Sequence, residues 1–454
     1  MGSESHNSPD TAELVARDSA ALADVLKVRF FPLAVARAKD CTITDVDGRD
    51  YLDFTAGWAV ANTGYGPDAI VDAVTKQMRK ISFATLTAFV NEPAVRLAEE
   101  LVALMPGDFS KKAWFGLHGS DACDALAKLV PLATGRPRMV SYIGSYHGQT
   151  GGSAAISGHT AQALVASGGN VVKIPYPYCY RCLFGETSPD KCSLRCLQYV
   201  EDYVMRSICP PQTTCAVIIE AVQSDGGDVV APENYLHGLA DLCKRHGILL
   251  LFDEVKTGFG RTGKMFAFEH AGMVPDGIAM GKSIGSGIAA LSAVVARADI
   301  LDVAPAINMY TVAGNPVSAT AGLATLAYIR DHDLVANAAR VGRLLLEGFE
   351  SLMASHPLIG DVRGKGMILG VELVRERTTK EPADSEAAKL VYRCKELGLL
   401  NFYGGIYSNV IEVTPPLTLT PEEAERGLVL FEEALSDVEA GRVADETLGA
   451  YAGW

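Results

Sequence analysis

Six short apolar runs punctuate the middle of the chain: RMVSYIG (138–144), NVVKIPY (170–176), CAVIIEAV (215–222), GILLLFDEV (247–255), GIAMGK (277–282) and LSAVVAR (291–297). They are apolar throughout rather than alternating, as strands of a sheet covered on both faces must be. Helical segments separate them from about residue 67 onward, and this alternation predicts an α/β fold with a doubly wound, largely parallel sheet. After a helical stretch from Pro316 to about His356 the pattern changes. LIGDVRGKGMILGVELV and NVIEVTPPLTLT read as short strands, and PEEAERGLVLFEEALSDV as a closing helix, together a smaller α+β domain. Near the start, TAELVARDSAALADVLKVRF predicts a helix, and DCTITDVDGRDYLDF a hairpin around an Asp-Gly turn. The expected division is an N-terminal segment over 1–66 that joins the small domain, a large domain over 67–325 and the small domain over 326–454.

Composition narrows the class of function. A net charge of −14 argues against nucleic acid or anionic membrane as partner. No apolar run approaches the ~20 residues of a membrane span. The opening MGSESHNSPDTAELVARD is polar and acidic, without a signal-peptide profile. A cytoplasmic enzyme acting on a small molecule is expected. Of the 10 cysteines, six are scattered and read as reduced, partly buried thiols. Cys179, Cys182, Cys192 and Cys196 cluster in CYRCLFGETSPDKCSLRC, which suits either a structural zinc or a polar excursion with free thiols or a disulfide.

Open parallel sheets bind ligands beyond the carboxyl ends of their strands. Glu220, Asp225, Asp253, Glu254 and Lys282 all fall at such ends. A lysine closing an apolar strand is ordinarily a solvated loop residue; desolvated, it becomes a nucleophile for carbonyl carbon. Asp253 ends the preceding apolar run. A Schiff-base lysine and a carboxylate at the pyridinium nitrogen are the two anchors of pyridoxal 5′-phosphate. LHGSDACDALAKLV offers Gly119 and Ser120 ahead of a helix, either as a phosphate cup or as a plain helix start capped by Ser120 or Asp121. SYHG adds Tyr146 as an aromatic face, with His147 beside it.

GSDACDAL, SYHG, IIEAVQSDGG, DEVKTGFGRTG, PDGIAMGK and TVAGNP resemble, in order and spacing, the class III aminotransferases, which are fold-type I pyridoxal phosphate enzymes. The resemblance runs from DGRDYLDFTAGWAVANTGYG to VRGKGMILGVEL and the final strands. It implies a large domain with a mixed, mostly parallel seven-stranded sheet and a smaller α+β domain. It also implies that Lys282 forms the Schiff base, that Asp253 pairs with the ring nitrogen, that Gly119 and Ser120 bind phosphate, and that Tyr146 stacks on the ring next to His147. Thr311 in TVAGNP would reach the phosphate of a neighbouring subunit. The family's sites lie at a subunit interface, so a homodimer or a dimer of dimers is implied.

Two positions depart from the usual family pattern. Lys256 stands where family aminotransferases carry Gln near the cofactor's phenolic oxygen, and Glu412 where many carry a carboxylate-binding Arg. At ~4 Å and an effective dielectric of 20, such a charge reversal turns about 4 kcal/mol of attraction into repulsion, unless Glu412 pairs with a local cation such as Lys256. DEVK, QSDGG, VRFFPLA, Trp58 in TAGW, NVIEVTPPLT and the closing AGW resemble α-amino-ε-caprolactam racemase and related amino-acid racemases and epimerases, whereas TGFGRTG is shared with ordinary aminotransferases. The resemblance implies racemisation or epimerisation of neutral α-amino acids or amino-acid amides by Cα proton exchange. The alternatives are a class III (ω-)aminotransferase and a fold relative without catalysis, the latter opposed by Lys282 and Asp253. Racemisation needs acid–base groups on both sides of Cα. Lys282 would serve one; Asp225 (otherwise a turn residue in SDGG) and Tyr146 are candidates for the other. Trp58 and Glu412 are expected at the substrate, and Glu254 in support of the loop.

Overall fold

A computed structural model describes residues 10–160, 170–186, 192–449 and 451; the closing AGW lies outside them. The first described element is a helix, Thr11–Ala21, shorter than expected, followed by a single 3-10 turn, Asp24–Leu26. Three strands follow: β1 (Val35–Lys39), β2 (Thr42–Asp45) and β3 (Asp50–Asp53). β2 and β3 pair antiparallel with Ile43 opposite Tyr51, and Gly48 turns the hairpin at φ 86°, where glycine carries no steric penalty.

The large sheet contains β4 (Lys111–Gly116), β5 (Arg138–Tyr142), β6 (Val171–Ile174), β7 (Thr214–Ile219), β8 (Leu249–Asp253), β9 (Gly277–Met280) and β10 (Ser292–Arg297), in spatial order β4-β10-β9-β8-β7-β5-β6. All neighbours from β9 to β6 pair in parallel, and β10 runs antiparallel to both β9 and β4. The connection from β9 to β10 explains the reversal. It holds a 3-10 turn, Lys282–Gly285, instead of the crossover helix that a parallel neighbour requires.

Every residue of β7 is buried, and its alternate side chains enter different cores. Ala216 and Ile218 pack with Ala122, Leu126 and Leu129 of the helix Gly119–Thr134. Val217 and Ile219 join the larger cluster with Leu236, Leu239 and Leu242 of the helix Glu233–His246. The continuously apolar runs are therefore those of a sheet covered on both faces, as expected.

The helical stretch after Pro316 is two helices, Pro316–Asp331 and Leu334–Ser355. Asp333 breaks it at φ 50°, a left-handed conformation that Asp tolerates better than most residues. Beyond lie β11 (Ile359–Lys365), β12 (Ile368–Glu376), β13 (Leu399–Leu400), β14 (Phe402–Gly404) and β15 (Val410–Val413). β11, β12, β15 and β14 form an antiparallel sheet in that order. β13 pairs in parallel with β3, so the N-terminal hairpin is stitched to this C-terminal region. The closing helix is Pro421–Glu439, with Thr420 and Glu423 forming a capping box. Among the described residues no helix is long and apolar enough to cross a membrane.

Candidate active site

The carboxyl ends of β4, β5, β8 and β9 converge on a cleft of about 450 Å³ lined by Gly119, Ser120, Tyr146, His147, Asp253 and Lys282. Asp253 ends β8 and is buried. His147 Nδ1 lies 2.7 Å from its Oδ2, the Cys123 thiol donates to the same oxygen at 3.2 Å, and the Val255 N–H donates to Oδ1 at 2.9 Å. Burial alone would push the Asp253 carboxyl up, but the His147 bond and charge outweigh it and hold the carboxyl below its usual range. His147 is raised in turn: burial works against its charge, and Asp253 overcomes that. The result is a fixed carboxylate at the floor of the cleft. His147 Nε2 is buried with no partner among the described residues. Asp253, His147 and Cys123 bring three donor atoms within 4.8 Å of one another, yet burial and the Asp253 charge push the Cys123 thiol well up. It stays protonated, as a donor to Asp253 rather than a metal ligand.

Lys282 follows β9 at φ 45°, a strained conformation for a side-chain-bearing residue. Burial and the Lys256 charge lower its pKa, against Asp225, Asp253 and Glu412, which raise it. A lysine so lowered is a better nucleophile at neutral pH. The helix Gly119–Thr134 points its first N–H groups at the same cleft, the arrangement that favours an anion. The backbones here approach closely. A Cβ on Gly119 would lie 2.5 Å from Val255 Cγ1, and one on Gly281 2.9 Å from Gly119 Cα.

Beside the cleft sits a second charged group. Lys256 is buried, with Nζ 2.6 Å from Glu412 Oε1 and 3.8 Å from Asp225 Oδ1. The contact is ionic rather than an aligned hydrogen bond. Burial, which would lower the Lys256 pKa, is outweighed by Glu412 and then Asp225, so its pKa is raised and it remains a cation. The Trp58 ring lies 5.7 Å from Nζ and packs against Phe402, with ring centroids 4.4 Å apart and planes tilted by 32°. Of the two options for Glu412, an uncompensated charge or a pair with a local cation, the structure shows the pair with Lys256. Asp228 lies against the same group. Burial and Glu412 push its carboxyl well up, so it holds its proton, and its Oδ1 has no partner among the described residues.

Residues 25–435 match the family described as Aminotransferase class-III. The chain belongs to the class III aminotransferases. It is 39% identical over 446 residues to a leucine/methionine racemase of Thermococcus litoralis, covering 97% of this chain and 99% of that one. An alanine/serine racemase of Pyrococcus horikoshii is 39% identical over 441 residues, 96% of this chain and 92% of that one. Among solved structures, an ω-transaminase of Pseudomonas jessenii in complex with PMP superposes with a TM-score of 0.85 at 27% identity, over 90% of this chain and 93% of that one. Class III enzymes depend on pyridoxal phosphate, and the cleft fits that group. It offers a buried carboxylate for a ring nitrogen, an amine of lowered pKa, a helix N-terminus for phosphate, and an aromatic side chain.

Other residues of this class III chain fall as follows. Tyr146 lines the cleft; burial first, then the Asp225 charge, push its hydroxyl up to about 12. Glu220, at the end of β7, accepts from the Tyr146 N–H at 3.3 Å and from Ser224 at 3.2 Å, and burial pushes its carboxyl up to about 7. Glu254 accepts from Thr257, Ala267 and Phe268, the loop support expected of it. Thr311 is exposed and outside the cleft of its own chain; its carbonyl accepts from Thr85 Oγ1 at 3.0 Å. The four clustered cysteines are free and partly buried. Sequence reasoning missed Cys123, Asp228 and Phe402. Cys123 sat in view inside GSDACDAL, one turn from the phosphate cup; Asp228 and Phe402 carried no local signal.

Proposed function

We propose that this protein is a pyridoxal phosphate-dependent racemase or epimerase of neutral α-amino acids or their amides, working in the cytoplasm as a homodimer or a dimer of dimers. The observation that carries the reading is the buried Lys256–Glu412 pair at 2.6 Å, with Asp225 at 3.8 Å. With two carboxylates beside it, Lys256 is not free to clamp a substrate's second carboxylate. Trp58 and Phe402 beside it suit an apolar side chain. The two racemases at 39% identity over nearly the full chain support the same reading.

Pyridoxal phosphate supplies an electron sink that acidifies the Cα hydrogen of an attached amino acid. Asp253, kept ionised by His147, would hold the ring nitrogen protonated. Gly119 and Ser120 would hold the phosphate, with Thr311 of a second subunit completing that cup. Tyr146 would face the ring. Lys282 would anchor the cofactor and serve the Cα proton on its own side. Asp225 and the protonated Tyr146 hydroxyl would serve it on the other. Trp58 and Glu412 would bound the substrate side chain. The division at 66/67 and 325/326 assigns the cofactor site to the central domain and Glu412 to the C-terminal one.

The structural likeness to a transaminase keeps an aminotransferase as the second reading. That reaction needs an acceptor keto acid, commonly a dicarboxylate, and Lys256 is already bound to Glu412. The test is to mix holoenzyme with L-leucine or L-leucinamide and no keto acid, and to follow the cofactor spectrum together with keto product. A racemase keeps its aldehyde-form spectrum at the end of the reaction and makes no keto acid. Conversion to the amine form with one equivalent of keto acid would overturn the proposal.

A further inference from the structure

We propose that Cys179, Cys182, Cys192 and Cys196 form a structural zinc site, and that this site braces the turn carrying Asp225. The six other cysteines are buried, whereas these four are only partly so, and all four line one cavity of about 30 Å³ together with Tyr176 and Phe184. Cys179 opens a 3-10 turn, Cys179–Arg181, with Cys182 just beyond it. Cys192 and Cys196 flank Leu194, which holds φ 54° ahead of the helix Arg195–Tyr199. A bulky residue at that φ is strained, and a cross-link through the sulfurs on either side is a reason for it to persist.

Chemistry agrees with geometry. Zinc would replace the four thiol protons, which pass to solvent, with four Zn–S bonds. Arg195 also lines the cavity, where its charge offsets part of the net negative charge of a zinc tetrathiolate. Among the described residues only Cys123, His147 and Asp253 bring three donor atoms within 4.8 Å. The four sulfurs thus surround the cavity without closing on it, and drawing them in to Zn–S bonds of ~2.3 Å is the work of the ion.

The site is wired to the active centre. Tyr178 and Arg181, which flank and follow Cys179, both bond the Glu372 carboxylate, Arg181 Nε at 2.6 Å. Glu372 holds Arg363 Nη1 at 2.7 Å, and Arg363 donates through Nε and Nη2 to the Gly227 carbonyl at 2.9 and 2.6 Å. Gly227 lies in the Ser224–Asp228 turn, whose Asp225 carbonyl accepts from the Gly405 N–H at 3.1 Å. The zinc is a brace for Asp225, which touches the substrate in the racemase reading on which this last step rests.

Metal content tests the site independently of the reaction. Holoenzyme purified without chelator should carry about one zinc per chain by mass spectrometry. Cobalt substitution should give thiolate-to-cobalt charge-transfer bands. Cys179→Ser/Cys196→Ser should lose the metal, keep the cofactor absorbance and slow Cα exchange several-fold, while Cys243→Ser, which does not line the cavity, changes neither. Wild-type protein without zinc or cobalt bands after growth and dialysis with those metals would overturn the proposal, and so would an intact mass showing disulfides within the set. Because the cobalt bands are read on the wild type, the outcome stands even where the double variant does not fold. Zinc present with no racemisation would sink the racemase reading alone.

Discussion

Lys256 and Glu412 are two buried charges at 2.6 Å, and each is tolerable only because of the other. Removing one partner of such a pair strands the other charge and destabilises by about 3–5 kcal/mol. Lys256→Met and Glu412→Met should each lose stability of that order in urea unfolding, and the double variant should lose clearly less than the sum. Additive losses would mean that the two residues do not compensate one another. Catalytic side chains separate differently. Lys282→Ala should abolish turnover and the borohydride-reducible absorbance together. Asp225→Asn should lower the Cα exchange rate by on the order of 100-fold with the bound-cofactor spectrum unchanged, and an unchanged rate would remove Asp225 from the mechanism. Lys282 and Asp253 were legible in the sequence because each closes an apolar run. The partner of Glu412 was legible only as one of two options, because β15 and the segment after β8 meet through tertiary packing.

At the scale of elements, strand and helix identity followed from periodicity, since a strand buried on both faces has no polar alternation to show. The break at Asp333 and the reversal of β10 did not follow. One depends on a single left-handed residue, the other on a connection too short to hold a crossover helix. The loop after β8 is held by Glu254, whose carboxyl burial raises from 4.5 to about 7 despite its hydrogen bonds. The folded state therefore keeps this proton over a window in which the unfolded chain has lost it. This contribution to stability is full below pH 4.5 and is lost as pH rises through about 7, up to about 3 kcal/mol in all. Glu254→Gln should flatten the fall in unfolding free energy across that window, whatever it does to stability at its low end. An unchanged slope would show that Glu254 ionises normally. The phosphate cup is equally sensitive to shape: Gly281→Ala, whose Cβ would meet Gly119 Cα at 2.9 Å, should weaken cofactor binding at least about tenfold in a titration of apoenzyme.

The whole molecule leaves one face unfinished. Phe89 is 64% exposed, Val90 86% and Met309 56%, and the segments that carry them are tied together by the Thr85–Thr311 and Asn91–Gly314 hydrogen bonds. Apolar side chains presented next to Thr311 suit a subunit interface. Light scattering should give at least twice the chain mass, and Val90→Asp should shift it toward monomer with loss of cofactor. A wild-type monomer with full activity would remove the shared site. No such interface is written in a local motif, because the exposed residues come together only through the fold. The central claim is that one set of side chains exchanges the Cα proton on both faces of a neutral amino acid. We would incubate holoenzyme in D2O with L-amino acids and L-amino amides, follow Cα–H by NMR, and resolve the enantiomers by chiral chromatography. Deuterated D-product without keto acid is the expected result. Retained L-configuration with stoichiometric transfer of the amino group to the cofactor would contradict it.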